Sequence, residues 1–168
     1  FAICPQPHKG AYLAMDGFGM MTDSVKPLYE SDVTICSNDV KRDMVMLHEK
    51  GVNFTAPYFD TSVAHYLLQP ERGHSIAQVA QELLDYEVIA PESYLGPKGR
   101  GQKKIFEVNP ERLTPVACEQ ADIILALPDV EKRLLEENDM THLLTDIELP
   151  LVKVLAKMEM AGARIDVK

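Results

Sequence analysis

The sequence predicts an α/β or α+β domain with a small mixed sheet flanked by helices. Short β-prone apolar segments lie before Asp60, and amphipathic helical periodicity dominates after it. Gly, Pro and capping residues separate these segments, and no internal repeat is present.

Phe1 to Cys4 and Ala11 to Met15 are apolar and flank the turn-rich stretch Pro5-Gln6-Pro7-His8-Lys9-Gly10, which predicts an antiparallel strand pair. Thr22 to Glu30 reads as a short helix capped by Thr22 or Asp23, with Val25 and Leu28 inward. Val33 to Cys36 reads as a strand. Asn38 or Asp39 then caps a helix whose Val40, Met44 and Leu47 share one face, and Gly51 ends it. Phe54 to Tyr58 is a brief strand, and Asp60 opens a helix through Leu68.

Ser75 caps the next helix, with Ile76, Val79, Ala80, Leu83 and Leu84 as its apolar stripe. From Ala90 to Lys104 the pattern gives way to Pro, Gly, Lys and Arg, which reads as a mobile loop. Asn109-Pro110-Glu111 starts a helix through about Leu127, and Pro128 restarts or kinks it. Asp139 or Thr141 opens the last long helix. Its expected inward stripe is Leu144, Ile147, Leu151, Val154, Leu155 and Met158; Pro150 bends or divides it and Gly162 stops it. Ile165-Asp166-Val167 begins a further segment.

At 168 residues and 46% hydrophobic content, the chain can bury a real core. No apolar run is long enough for a membrane span, and no signal peptide is visible at Phe1. Cys4, Cys36 and Cys118 have no metal-ligand spacing and read as small buried hydrophobes of a reduced, cytoplasmic protein. The net charge of −9 argues against strong independent nucleic-acid binding, though not against a domain carried by a larger DNA-binding protein. His8, His48, His65 and His142 are scattered without ligand spacing, and His74 reads as a turn residue beside Ser75. Met15, Met20, Met21, Met44, Met46, Met158 and Met160 read mostly as core or gap filling.

Four segments occur in an order that resembles bacterial family A DNA polymerases. Asp39-Val40-Lys41-Arg42-Asp43 is similar to the family's Asn-Leu-Lys-Tyr-Asp at its second exonuclease motif. Phe59-Asp60-Thr61-Ser62-Val63-Ala64-His65-Tyr66-Leu67-Leu68 resembles Phe-Asp-Thr-Met-Leu-x-x-Tyr-Leu-Leu, and His74-Ser75-Ile76 resembles the His-Ser-Leu that follows. Glu148-Leu149-Pro150-Leu151-Val152, with Gly162 and Ile165-Asp166 behind it, is similar to the junction helix that enters the polymerase domain. Gly96 to Gln102 resembles a Gly-Lys-rich loop of the same family.

The resemblance is to the 3′-5′ exonuclease-like domain of bacterial DNA polymerase I. It implies a ribonuclease-H-like fold over residues 1–145, a junction helix over 146–168, a polymerase domain in cis, and DNA as partner. It also implies phosphodiester hydrolysis with two Mg²⁺ or Mn²⁺ ions, which needs a dense carboxylate set. The family's first motif, Asp-x-Glu on the first strand, is expected upstream of Phe1. The only such pattern here, Asp146-Ile147-Glu148, lies in the junction helix, where alternate residues diverge.

Asp43 matches the second motif; without the resemblance it reads as an exposed helical aspartate. The third motif, Tyr-Ala-Ala-Glu-Asp-Ala-Asp in the family, stands here as Val116-Ala117-Cys118-Glu119-Gln120-Ala121-Asp122. Val116 replaces the water-positioning tyrosine and has no hydroxyl. Gln120 replaces the metal-binding aspartate and carries no charge. Glu119 and Asp122 sit roughly 100° and 200° round a helix from position 120, so substitution by either requires the helix to rotate.

The expectation is therefore a degenerate, non-catalytic exonuclease-like domain with no metal bound, retained for support. An active proofreading exonuclease with a shifted ligand set and an unrelated interaction domain are the alternatives. Lys98, Arg100, Lys103 and Lys104 form a basic loop that is the candidate DNA contact, against the ordinary reading of a solvated loop. An uncovered sheet edge would invite self-association, so oligomeric state stays open.

Overall fold

A two-residue antiparallel ladder opens the chain, β1 (Ala2–Ile3) against β2 (Ala11–Tyr12), with Ala2 opposite Tyr12 and Ile3 opposite Ala11. This is the expected hairpin, and Phe1 and Leu13 exchange hydrogen bonds at its open end. The computed structural model describes residues 1–13 and 20–166, the side chains of 20–22 excepted. The expectations for Met15, Met20, Met21, the Thr22 cap and Val167 lie outside the described side chains or residues.

The chain divides into two compact units, Phe1–Asp16 with Gly73–Val130, and Gly17–Arg72 with Glu131–Lys168. The first holds the hairpin, α4 (Ile76–Leu84), α5 (Pro91–Leu95), a 3₁₀ turn (Ile105–Glu107) and α6 (Pro110–Glu137) up to Val130. The second holds α1 (Met20–Tyr29), β3 (Ile35–Ser37), α2 (Val40–His48), β4 (Tyr58–Asp60), α3 (Thr61–Leu68), the end of α6, α7 (Thr141–Leu143), a π turn (Leu144–Glu148) and α8 (Leu149–Ala161).

In the first unit, Ser75 caps α4 by accepting from Gln78 N–H, and Val79 and Ala80 pack against Ile123 and Leu127 of α6. Gly10 sits where the hairpin meets α6. A Cβ there would lie 2.7 Å from the Cys118 Cβ, so the close approach requires glycine. The loop expected from Ala90 to Lys104 is shorter than anticipated. Pro91, pre-set for the first helical position, starts α5, and Lys103 N–H closes the remaining loop onto Leu95 O at 2.9 Å.

α6 runs past Leu127 and through Pro128 to Glu137, so Pro128 does not start a new helix. It removes one N–H from the helical ladder, but Leu127 and Leu135 on either side are each fixed in a core of their own.

The second unit is built on a parallel pair, with Ile35, Cys36 and Ser37 opposite Tyr58, Phe59 and Asp60. Both strands begin later than their apolar runs suggest. Val33 is exposed, and Thr55 and Ala56 instead give their N–H groups to Tyr29 O at the end of α1. That helix begins at Met20, so Asp23 falls in its first turn rather than at its cap. Asp39 caps α2 as expected, accepting from Arg42 N–H, and Val40, Met44 and Leu47 are buried.

Asp60 organises the strand ends. One carboxylate oxygen accepts from Ser62 N–H, Val63 N–H and the Ser62 hydroxyl, capping α3. The other accepts from Val40 N–H at 2.8 Å, at the start of α2. A single buried side chain thus satisfies the orphan donors of two helices.

Pro150 divides the last helix as expected. It offers no N–H, and the chain takes a π turn in which Leu149 N–H reaches Leu144 O. Gly162, at φ +68°, ends α8. The inward face is not the expected one. Leu144, Val152 and Ala156 are buried, whereas Ile147, Leu151, Val154, Leu155 and Met158 are exposed, about a third of a turn away. The smaller face of α8 packs on α2, tied by the Lys41–Glu159 ion pair, and the Tyr58 hydroxyl donates to Leu149 O.

The cysteines are half-buried rather than buried. Met46 and Met158 are solvent-facing rather than gap fillers, while Met44 is core.

Candidate functional site

Asp43 lies in the first turn of α2, just beyond the carboxyl end of β3. It is not the exposed aspartate of the simplest reading. The Ser37 hydroxyl donates to its Oδ2 at 2.5 Å, and burial pushes the carboxyl above its usual range. Ser37 and Arg42 oppose that shift, and the negative charges of Asp39 and Asp60 add to it. Beside it, the Tyr29 phenol is raised by burial and by the Asp43 charge. The other two carboxylates are already used: Asp39 caps α2 and Asp60 caps α2 and α3. Ser37 was missed in the sequence because a contact six residues apart across a strand–helix turn follows no helical or strand period.

Val116 and Gln120 lie on α6, in the first unit. Val116 is buried and Gln120 half-buried. The carboxylates flanking Gln120 are committed to other partners. Glu119 accepts from the Tyr86 hydroxyl at 2.9 Å and from Ile89 N–H at 3.0 Å, fastening the chain after α4 to α6. Asp122 accepts from His8 N–H at 2.8 Å, from the His8 ring at 2.9 Å and from the Cys4 thiol at 3.4 Å. The His8 N–H in particular holds the Asp122 carboxyl below its usual range. His8 takes φ +61° at the turn that makes this contact. Both flanking carboxylates are thus engaged within the first unit.

In the basic loop, Lys98 pairs with Glu92 at 3.2 Å, and the Lys104 ammonium lies 5.6 Å from the centre of the Phe106 ring. Among the described residues, no group of three or more His, Cys, Asp and Glu side chains is arranged to hold a metal ion.

One buried acid escaped the sequence reading. Glu131 is fully buried on α6, and neither carboxylate oxygen has a hydrogen-bond partner among the described residues. Burial pushes its carboxyl up to about 8, with the Asp60 charge as a lesser cause. The signal was present: Glu131 lies one helical turn from both Leu127 and Leu135, on the helix's apolar stripe.

The family described as DNA polymerase I, ribonuclease H-like domain, matches residues 8–127. The chain belongs to that family. It is similar to DNA polymerase I of Streptococcus pneumoniae, 31% identical over 152 residues, covering 90% of this chain and 17% of the relative. It is also similar to DNA polymerase I of Bacillus caldotenax, 33% identical over 130 residues, and of Chloroflexus aurantiacus, 33% over 136 residues, each match covering 77% of this chain and 14% of the relative. The chain spans about a sixth of the length of the curated relatives it matches. The ribonuclease-H-like expectation is met: the family match and the mixed α/β architecture agree, and an unrelated interaction domain is excluded. No helix among the described residues is long and apolar enough to cross a membrane.

Proposed function

We propose that this region is a degenerate 3′-5′ exonuclease domain of a cytoplasmic DNA polymerase I, without hydrolytic activity and retained as support. The observation that carries this reading is the state of the third motif. A valine and a glutamine occupy the positions of the water-positioning tyrosine and the metal-binding aspartate, and the adjacent Glu119 and Asp122 are hydrogen-bonded elsewhere. Asp43 remains, but its carboxylate accepts from Ser37, and burial disfavours its charge. This donor set does not fit a pair of Mg²⁺ or Mn²⁺ ions, which need several charged oxygens. No hydrolytic step through a metal follows from it.

In this reading residues 1–145 form the exonuclease-like domain and residues 146–168 lead into a polymerase domain in cis. The apolar stripe exposed on α8 supports that arrangement, because such a stripe on a surface helix suits a partner. DNA is bound through the parent polymerase, with Lys98, Arg100, Lys103 and Lys104 as the candidate contacts in this region.

The test is a 3′-end degradation assay on the longer polymerase carrying this region, with Mg²⁺ or Mn²⁺ and with Asp43→Ala as control. The expected result is no Asp43-dependent hydrolysis. Metal-dependent removal of 3′ nucleotides that disappears in Asp43→Ala would overturn the proposal and establish a proofreading enzyme.

A further inference from the structure

The hairpin that opens the chain meets α6 through neighbouring contacts, and cysteines stand on both sides of them. A Cβ on Gly10 would lie 2.7 Å from the Cys118 Cβ. Cys4 turns its sulfur to the next turn of the same helix, with Sγ 3.4 Å from Asp122 Oδ1. His8, between Cys4 and Gly10, donates its N–H to Asp122 and sets its ring against the same carboxylate. Cys118 and Asp122 are four residues apart and share one face of α6.

The ladder register places the two cysteines around one point. Ala2 faces Tyr12 and Ile3 faces Ala11, so Cys4 faces Gly10 just past the end of the ladder. Phe1 and Leu13 exchange hydrogen bonds, and bonded and unbonded pairs alternate. Cys4 and Gly10 therefore fall at an unbonded position, where opposed side chains come closest. The Cys4 Cβ and a Cβ drawn on Gly10 would be about 4.5–5.5 Å apart on one face of the hairpin. That face is the one applied to Cys118, and glycine puts no side chain between the two sulfurs. A disulfide joins Cβ atoms about 3.5–4.5 Å apart, a range within reach of two residues that both border Gly10. Rotation about the Cys4 Cα–Cβ bond carries its sulfur from Asp122 towards Cys118. Both are free thiols and half-buried, open to a small oxidant.

We propose that Cys4 and Cys118 are a redox-responsive thiol pair, closed by a hydroperoxide into a disulfide that clasps the hairpin to α6. One thiol sulfur takes an oxygen from the peroxide: the O–O bond breaks, an S–OH forms, and the other oxygen leaves as water or an alcohol. The second thiol attacks that sulfur, the S–S bond forms, and hydroxide leaves with the thiol's proton as water. The two thiols lose two electrons and the peroxide gains them. Burial foremost, with the Asp122 carboxylate beside it, raises the Cys4 thiol above its usual value, which suits Cys4 to act second. Cys36 lies in β3, in the other unit, and is outside the pair. The clasp is independent of whether the domain hydrolyses DNA.

The experiment treats the reduced 168-residue chain with hydrogen peroxide, counts thiols with a colorimetric disulfide reagent, and maps linked peptides by mass spectrometry. It is run on the wild type and on Cys4→Ser, Cys118→Ser and Cys36→Ser. Two of the three thiols should disappear together, a peptide linking Cys4 to Cys118 should appear, and dithiothreitol should reverse both changes. Cys36→Ser should behave as wild type, whereas either of the other two serines should abolish the linked peptide. The bridge closes a loop over residues 4–118, so oxidation should raise the urea midpoint of the wild type and of Cys36→Ser alone. Oxidation of single thiols without a linked peptide, or pairing through Cys36 or between chains, refutes the pair. A link that forms equally well in urea shows that the fold does not position it, and a bridged chain with an unchanged or lowered midpoint refutes the clasp.

Discussion

Replacing Glu131 by glutamine should make the protein more stable, and increasingly so as the pH rises. Glu131 is fully buried on the apolar stripe of α6, and its carboxyl is raised from 4.5 to about 8 by burial and the Asp60 charge. The native state therefore binds this proton more tightly than the unfolded chain does. Its stabilising contribution is fully present below pH 4.5 and is lost as the pH rises through 8. The whole shift corresponds to about 5 kcal/mol. Between about pH 5.5 and 8.5 the wild type should lose about 3 kcal/mol relative to Glu131→Gln, since glutamine keeps the volume and does not titrate. Urea denaturation followed by circular dichroism, run on both proteins at several pH values, measures the difference directly. A stability difference that stays flat across that range would refute the reasoning and place a partner or solvent beside the carboxylate.

Two further predictions concern groups that hold the fold. Asp60→Ala removes the cap of α3 and the acceptor for Val40 N–H together, and should cost about 2–4 kcal/mol in urea denaturation; a loss under about 0.5 kcal/mol would show that the helix starts find other acceptors. Glu119→Ala leaves the Ile89 N–H without its acceptor, and should cost about 1–3 kcal/mol and speed hydrogen exchange at Ile89; an unchanged exchange rate would deny the fastening role.

The sequence by itself determined where most elements start and stop, because caps and breakers act locally. Asp39, Asp60 and Ser75 each bond the backbone two or three residues on, and Gly162 ends a helix where a left-handed residue is needed. It also determined the family, since ordered motifs survive even where single side chains have changed.

Only the tertiary structure decided which faces are buried and which acids are engaged. The apolar stripe of the last helix looked like its core face, yet the helix turns Val152 and Ala156 onto α2, and a π turn before Pro150 resets the phase. Pro128 read as a restart or a kink, and α6 continues through it with Leu127 and Leu135 each packed in a core on either side. Glu119 and Asp122 could be placed on α6 from spacing, but their partners, Tyr86, Ile89 and His8, come from distant parts of the chain. Local propensity fixes the backbone over a few residues. Burial, hydrogen-bond partners and pKa depend on what long-range packing brings alongside, and that is not encoded in spacing alone.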